Sequence, residues 1–585
     1  MAPERLPSTD GVSRRALLAS ATGLTVATSG CLRQVRSIVG REDLDQLSVT
    51  IATLVDDYDR NAIRIARQLA ENLEAVGVDV TVEALPPVEL FRRVLINNDF
   101  DVYVGRHPAD RDPDFLYETL HSVYVDEPGW QNPFGVTSMS LDDHLEAQRT
   151  LEGADRREEI SSVLEWVARE QPFSPLCIPD EVRLVRTDRF DGWGQNHPTT
   201  RLGYLGLESL TADEELRAVI TQTRPTENLN PLSAEYRNRS TVVSLLYDSV
   251  LVYDGDDAVP WLAESIERED STVTVTLRED LRWHDGEPLT AEDVAFTYRF
   301  LEDTSLDENG VSSPSPQYRG PATVFDSTDV EGDSRRTLRL ETECGPDVTR
   351  RALTVPILPE HVWDDRTDEA SFGGVASATG TTDAVVTDNV PPVGSGPFAF
   401  VDRTERERLV LERFSDHFTL RPEVSLPEPT AETVRVHVEP RSEGAIERVE
   451  GGDADVTVST LEAASVAEIS ESADVQLLES PSWTFYHLGF NVRNAPFSNP
   501  YARRTVARLL DKASIVSEVF EGQASPVSTP VTGGWVPDHL EWNGVDPEVP
   551  FFGTDGDLEV EDARDAFEEI GFTYDEEEGQ LLARN

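Results

Sequence analysis

Residues 47–104 read LSVTIATLVDDYDRNAIRIARQLAENLEAVGVDVTVEALPPVELFRRVLINNDFDVYV. Leu47, Val49 and Ile51 alternate with polar or small residues, the period of a half-buried strand. From Asn61 the period changes. Ala62, Ile65, Ala66, Leu69, Leu73 and Val76 recur at helical spacing, and Gly77 stands where a glycine ends a helix. Val78, Val80, Val82 and Ala84 alternate again, a short helix runs through Leu90 and Val94, and residues 100–104 make a third strand. The β-α-β-α-β order predicts an open parallel sheet of an α/β protein. Ligands of such sheets sit beyond the carboxyl ends of the strands. The loop after the third strand, GRHPADRDP at 105–113, is therefore a candidate binding site.

Beyond this unit, Leu145, Leu151, Ile160, Val163, Leu164 and Val167 predict helix, interrupted near Gly153. The alternation of Val273, Val275 and Leu277 predicts a β-rich region, and the Gly/Ala/Thr/Asp-rich segment 364–388 reads as a mobile surface loop. Ala563, Ala566, Phe567 and Ile570 form one helix face closed by Gly571, followed by an acidic turn at 575–579. No repeat of solenoid length is visible.

The chain has 585 residues, 51 basic and 110 acidic, a formal charge of −59. With 38% apolar residues it has material for large cores, which excludes global disorder. The charge argues against nucleic acid, whose phosphates need a basic face. Lys512 is the single lysine; the other basic residues are arginine. A surface so acidic repels itself and is best tolerated where salt screens it, so halophilic adaptation is the leading reading; an acidic face for a basic partner is the other. No apolar run reaches the length of a membrane span.

Cys31, Cys177 and Cys344 are too few for a disulfide framework or a four-cysteine metal site. Cys31 has a distinctive approach. SRRALL at 13–18 opens a short apolar stretch that ends in Ser29-Gly30-Cys31. Paired arginines, an apolar core and small residues before a cysteine resemble a twin-arginine export signal with a lipobox, although Thr28 stands where an aliphatic residue is usual. Residues 1–31 are then a signal, Cys31 a lipid anchor and 32–46 a tether; the alternative is a structural cysteine after a leader.

LREDLRWHDGEPLTAEDV at 277–294 carries the family resemblance. It is very similar to the signature of the family 5 extracellular solute-binding proteins, the dipeptide and oligopeptide receptors of ABC importers. NLNP at 228–231, LLYDSVLVYD at 245–254, WLAES at 261–265, ILPEHVW at 357–363, VGSGPF at 393–398, FYHLGFN at 485–491 and RRTVARLLDKASIV at 503–516 agree with it. The family's closing portion resembles residues 47–210, which here precede its opening, so the resemblance covers nearly all of the mature chain as a circular permutation. Such a change is cheap when chain ends lie close at the surface. The new joint falls at 211–214 and the cut lies in the acidic turn after Gly571.

The resemblance implies a two-lobed, periplasmic-binding-protein-like Venus flytrap with an extra third domain. One lobe combines 47–186 with 485–585, the second 187–245 with 391–483, and the extra α+β domain spans 246–390. It implies an exported monomer at the extracellular face of the membrane, a captured peptide or other small solute, and ABC permease subunits as partners, with no cofactor, metal or catalytic residue. Same-fold receptors for a nickel complex, a sugar or an opine are alternatives, and a secreted hydrolase is a rival of another class.

In the family's peptide receptors a carboxylate just ahead of an Asp-Pro holds the ligand's α-amino group, which assigns Asp110, Arg111 and Asp112 to the ligand, with spacing one residue shorter here. Capping of the next helix is the competing role for these acids. Trp483, Tyr486 and Asn491 fall at the lobe crossing, where they serve either to sandwich ligand side chains or to pack the hinge. Trp283-His284-Asp285-Gly286 invites a catalytic reading, but Asp-Gly is a turn signal and Thr290 with Asp293 is a helix cap, so it reads as structure.

Overall fold

The computed structural model describes residues 45–583 except 213, 234–240, 256, 309, 311, 333, 373–374, 377–380, 471–472 and 576. The signal reading of 1–31, the Cys31 anchor and most of the 32–46 tether lie outside the described residues. The end of that tether is structured: Asp45–Gln46 (β1) pairs antiparallel with Leu581–Ala583.

The opening unit forms as its periodicity demands. Ser48–Leu54 (β2) lies between Asp79–Leu85 (β3) and Val102–Pro108 (β4), parallel to both. Arg60–Ala75 (α1) packs across them, its start capped by the Asp59 carboxylate accepting from the Ala62 N–H. Gly77 follows at φ +90°, where a Cβ would run into the backbone of Gly579 and Leu581. The second helix, Pro87–Phe91 (α2), continues through one wider turn at Arg92–Ile96. β4 is longer than its sequence suggested. Gly105 to Pro108, read as loop, remain in the sheet because the Thr484–Phe490 strand pairs with them, Phe485 opposite His107 and Tyr486 opposite Arg106.

Phe115–Leu120 (α3), Met139–Thr150 (α4) and Gly153–Glu170 (α5) follow, the last two being the interrupted helix, and lead into the 14-residue strand Phe173–Arg186 (β5). β5 organises the molecule. Its first residues pair with Thr484–Phe490 and Ala524–Pro526, and from Asp180 to Arg186 its partner is Val475–Pro481. One sheet thus runs from Phe398–Thr404 through Arg408–Arg413, Thr433–Val438, Glu215–Ile220, Val456–Thr457 and β5 to Thr484–Phe490, β4, β2 and β3. The change of partner places the passage between the half that holds β2 to β4 (the near half) and the half that holds Glu215–Ile220 and Thr433–Val438 (the far half) at 179–180 and 482–483, so the last seven residues of the 47–186 span pair within the far half.

The cores divide the same way. One apolar cluster unites Val49, Ile65, Leu69 and Val104 with Tyr486, Leu509, Phe567 and Leu581. Another joins Leu216, Val434 and Leu411 with Trp261, Val275, Trp283, Phe300 and Trp363. The four-stranded sheet of Ala263–Glu269, Thr272–Leu277, Thr337–Glu341 and Ser327–Val330, with the helix Ala291–Glu302 against it, therefore shares its core with the far half. Short elements at Asp364–Arg366 and Asp383–Val386 lie within the segment expected to be a mobile loop.

The WHDG turn is structural. His284 Nε2 donates to the Gly396 carbonyl at 3.0 Å and its Nδ1 accepts the Gly394 N–H at 3.3 Å, while Asp285 pairs with His361 at 2.8 Å. Thr290 and Asp293 form a reciprocal cap on the following helix. Lys512 is buried, its Nζ 2.6 Å from Asp546 and 3.0 Å from the Val527 carbonyl. Among the described residues no helix is long and apolar enough to cross a membrane.

Candidate functional site

A cavity of about 180 Å³ lies where the two halves meet. The near half contributes the end of β4, the loop through Asp110 and Arg111, and Phe115, Glu118 and Trp130 around α3. The far half contributes Glu181 on β5, Thr199 to Leu202 and Tyr247. The smaller sheet's domain closes it with Leu251 to Tyr253, Tyr318 and Arg351, and Trp483 stands at the crossing itself. Three parts of the chain thus wall one cavity, the usual setting of a ligand site.

Trp483 heads a stack. The Arg111 guanidinium lies 4.2 Å from its ring centroid and 5.3 Å from that of Tyr253, and the His197 ring lies 4.3 Å from Trp483 on 30° planes. Arg111 also borders a second, polar hollow with Gln195, His197 and Asp254, so it stands in the wall between the two. A guanidinium held flat by aromatic faces keeps its edge donors oriented.

The acids of the loop are engaged within the protein. Asp110 Oδ1 accepts the Arg111 N–H at 2.7 Å and its Oδ2 accepts Arg351 Nε at 3.0 Å. Asp112 does not face the cavity. It makes a bidentate pair with the buried Arg156, at 2.5 and 2.8 Å, and accepts the Asp114 N–H at 2.8 Å, which sets the start of α3. Asp114, which no sequence motif marked, is the centre of the network: it accepts Gln148 at 2.8 Å, Arg149 at 2.8 and 2.9 Å, and Arg351 at 3.2 Å. Burial works against its charge, but Arg149 and Arg351 outweigh burial and hold its carboxyl well below the usual range. Glu118 accepts Arg351 at 3.0 Å, and burial pushes its carboxyl up. Arg351 thus ties three carboxylates of the near half to the helix Pro346–Ala352 of the far one.

Tyr486 and Asn491 take no part in the cavity. The Tyr486 hydroxyl donates to Asp59 at 2.9 Å and accepts from Arg106 at 2.8 Å, and burial together with Asp59 drives its pKa well up. Asn491 donates to the Asn98 and Phe100 carbonyls at 2.9 and 3.0 Å. The strand Thr484–Phe490 is central and buried on both faces, with Tyr486 and Leu488 in one core and Phe485 in another, so only its entry end reaches the cleft. Glu181, which sequence reasoning passed over, does reach it, held by Arg183 at 2.7 Å and Ser482 at 2.9 Å. The signal available was an adjacent acid pair, Asp180-Glu181, that follows the apolar run from Leu176 to Pro179. Among the described residues no group of three His, Cys, Asp or Glu is gathered to hold a metal.

A continuous sheet crossed by two strands between two bodies, an appended third domain and a cavity enclosed at their junction define a two-lobed solute-binding protein. Residues 257–584, more than half of the chain, match the model of the bacterial extracellular solute-binding proteins, family 5, middle region, and the chain belongs to this family. It is 26% identical over half of its length to the oligopeptide-binding protein AppA of Bacillus subtilis, covering 48% of that protein. It is 24% identical over 54% of its length to the glutathione-binding protein GsiB of Pectobacterium atrosepticum, covering 55% of it. The chain thus spans about half the length of these curated relatives. The structure of B. subtilis AppA in complex with a nonapeptide aligns over 63% of this chain and 67% of that one, at 18% identity and a TM-score of 0.45.

Proposed function

We propose that this chain is the solute receptor of an ABC importer, capturing peptides by closure of the near half onto the rest and presenting them to membrane permease subunits. The observation that carries the reading is the cavity walled by both halves and the third domain at the strand crossing, with Trp483 and Arg111 at its edge. Trp483 and Arg111 contact the solute; Asp110 forms the wall behind it. Binding of this kind needs enclosure and orientation rather than a nucleophile, so the receptor performs no covalent chemistry.

The same reading places the protein outside the cell, exported by the leader and tethered through lipid on Cys31, as a monomer in a salty medium that its charge of −59 suits. Its connectivity is a circular permutation of the family order. Two features support this: the near-half core joins 47–104 to 486–581, and β1 pairs with Leu581–Ala583, so the residues the usual order would link are neighbours.

Isothermal titration with tri- to pentapeptides in molar salt, with a parallel search for cleavage products, tests the function. Saturable heat without product, weakened at least tenfold by Trp483→Leu, is the expected result. Product formation, or saturable heat only with sugars or metal complexes, would refute the peptide reading.

A further inference from the structure

Asp110 is the carboxylate that the resemblance offers to a ligand's ammonium, and in this structure that seat is taken from within. Its Oδ2 accepts Arg351 Nε at 3.0 Å and its Oδ1 accepts the Arg111 N–H at 2.7 Å. Arg351 comes from across the cleft, keeps only 5% of its side chain exposed, and directs its other nitrogens to Asp114 at 3.2 Å and Glu118 at 3.0 Å. A planar fork fixed on three separate carboxylates is far harder to displace than a single ammonium that touches one.

Of the remaining acids of the cavity, Glu118 is held by Arg351 and Glu181 by Arg183 and Ser482, and the cavity's Arg201 is engaged by Asp248 and the Tyr247 carbonyl. An ammonium brought to Asp110 would lie beside the Arg351 guanidinium in a poorly solvated space, where like charges repel strongly. A neutral amide or methyl group in the same place meets no such repulsion, and the same cavity offers apolar wall at Phe115, Leu202 and Tyr318.

We infer that Arg351 is a specificity-determining residue: it occupies the ammonium seat at Asp110, so the cavity takes solutes whose end facing Asp110 carries no positive charge, such as peptides with a blocked amino terminus. The inference rests on the receptor reading above and deepens it. Among the described residues, each carboxylate facing this end of the cavity is bonded to Arg351, which makes Arg351 the group to change.

The test uses the full chain in molar salt and two mixed tripeptide libraries, one with free amino termini and one N-acetylated. The libraries are offered together, and the retained peptides are counted by mass spectrometry. Wild type is expected to retain acetylated peptides at least as well as their free counterparts. Arg351→Met, which empties the seat, is expected to shift retention about tenfold toward free amines, and Arg351→Lys, which keeps the cation, to preserve the wild-type ratio. Preference of wild type for free amines by about tenfold would overturn the inference while leaving the peptide receptor intact; so would a folded Arg351→Met protein with an unchanged ratio. If that variant does not fold by circular dichroism, the wild-type comparison decides alone. Retention of neither library would overturn the peptide reading and this inference together.

Discussion

Replacing Asp114 by asparagine removes the charge that holds Arg149 in the interior. Asp114 has no exposed side-chain surface, and Arg149, 5% exposed, meets it at 2.8 and 2.9 Å. Without that charge Arg149 retains the Gly320 carbonyl at 3.1 Å, the Thr323 hydroxyl at 3.1 Å and the face of Tyr117, none of which carries charge. Breaking a buried ion pair from one side costs about 3–5 kcal/mol. Arg351 keeps Asp110 and Glu118, so the loss belongs near the lower end, about 3 kcal/mol. Urea unfolding in fixed molar salt would show this as a midpoint lower by about 1 M, given a denaturant slope near the top of the ~1–3 kcal/mol/M range for small proteins. The sign with pH follows from the depressed carboxyl. Asp114 contributes in full above its unfolded value of about 4, and its contribution fades as pH falls through the lower folded value. The gap between wild type and Asp114→Asn is therefore complete at neutral pH and narrows only in acid. Asp114→Asn with Arg149→Met should regain most of the loss, because an apolar replacement of both partners leaves no stranded charge. A single variant as stable as wild type, or a double variant no better than the single, would refute the account of this network.

His284 gives a second pH test: burial depresses its pKa to about 4, so the unfolded chain binds the extra proton between about 6.5 and 4 and stability falls by roughly 3 kcal/mol as pH drops through that window. His284→Gln should flatten that slope in urea titrations, and an unchanged slope would place the acid sensitivity elsewhere. Joining residue 583 to residue 45 through a short linker, with new ends at 211–214, should give a folded protein with a far-ultraviolet spectrum like the parent's; aggregation of every linker length would argue against the permutation. Gly394→Ala would drive a Cβ into the Leu246 carbonyl beneath His284, and a loss of about 2 kcal/mol or more is expected in the same unfolding assay.

The parallel unit was legible because its period switches cleanly between strand and helix and because Gly77 punctuates it. The far reach of β4 was not, since Gly105 to Pro108 read as a loop until their partner, some 380 residues later, is known. The same separation governed the site. Arg111 and Trp483 could be placed by the loop and the crossing, but the role of Asp110 depends on Arg351, 241 positions away, and nothing in a local motif announces that pairing. Of the two roles open to Tyr486 and Asn491 at the lobe crossing, ligand contact or packing, their surroundings match packing: Tyr486 lies in a strand buried on both faces and Asn491, just past its end, bonds to the Asn98 and Phe100 carbonyls. Asp112 was marked only by the proline that follows it and Asp114 by nothing local; in a chain with 110 acidic residues, burial rather than residue type sets the two apart.

The seclusion of Lys512 has a practical side. Reagents that acylate or cross-link amines find no exposed lysine side chain on the folded molecule, since the single one is 3% accessible and anchored to Asp546. An endoprotease strict for lysine then has a solitary target that becomes available only when the surrounding structure gives way. Each cleavage event would report one opening of that region, splitting the polypeptide once, and the rate of appearance of the shorter fragment would serve as a clock for unfolding.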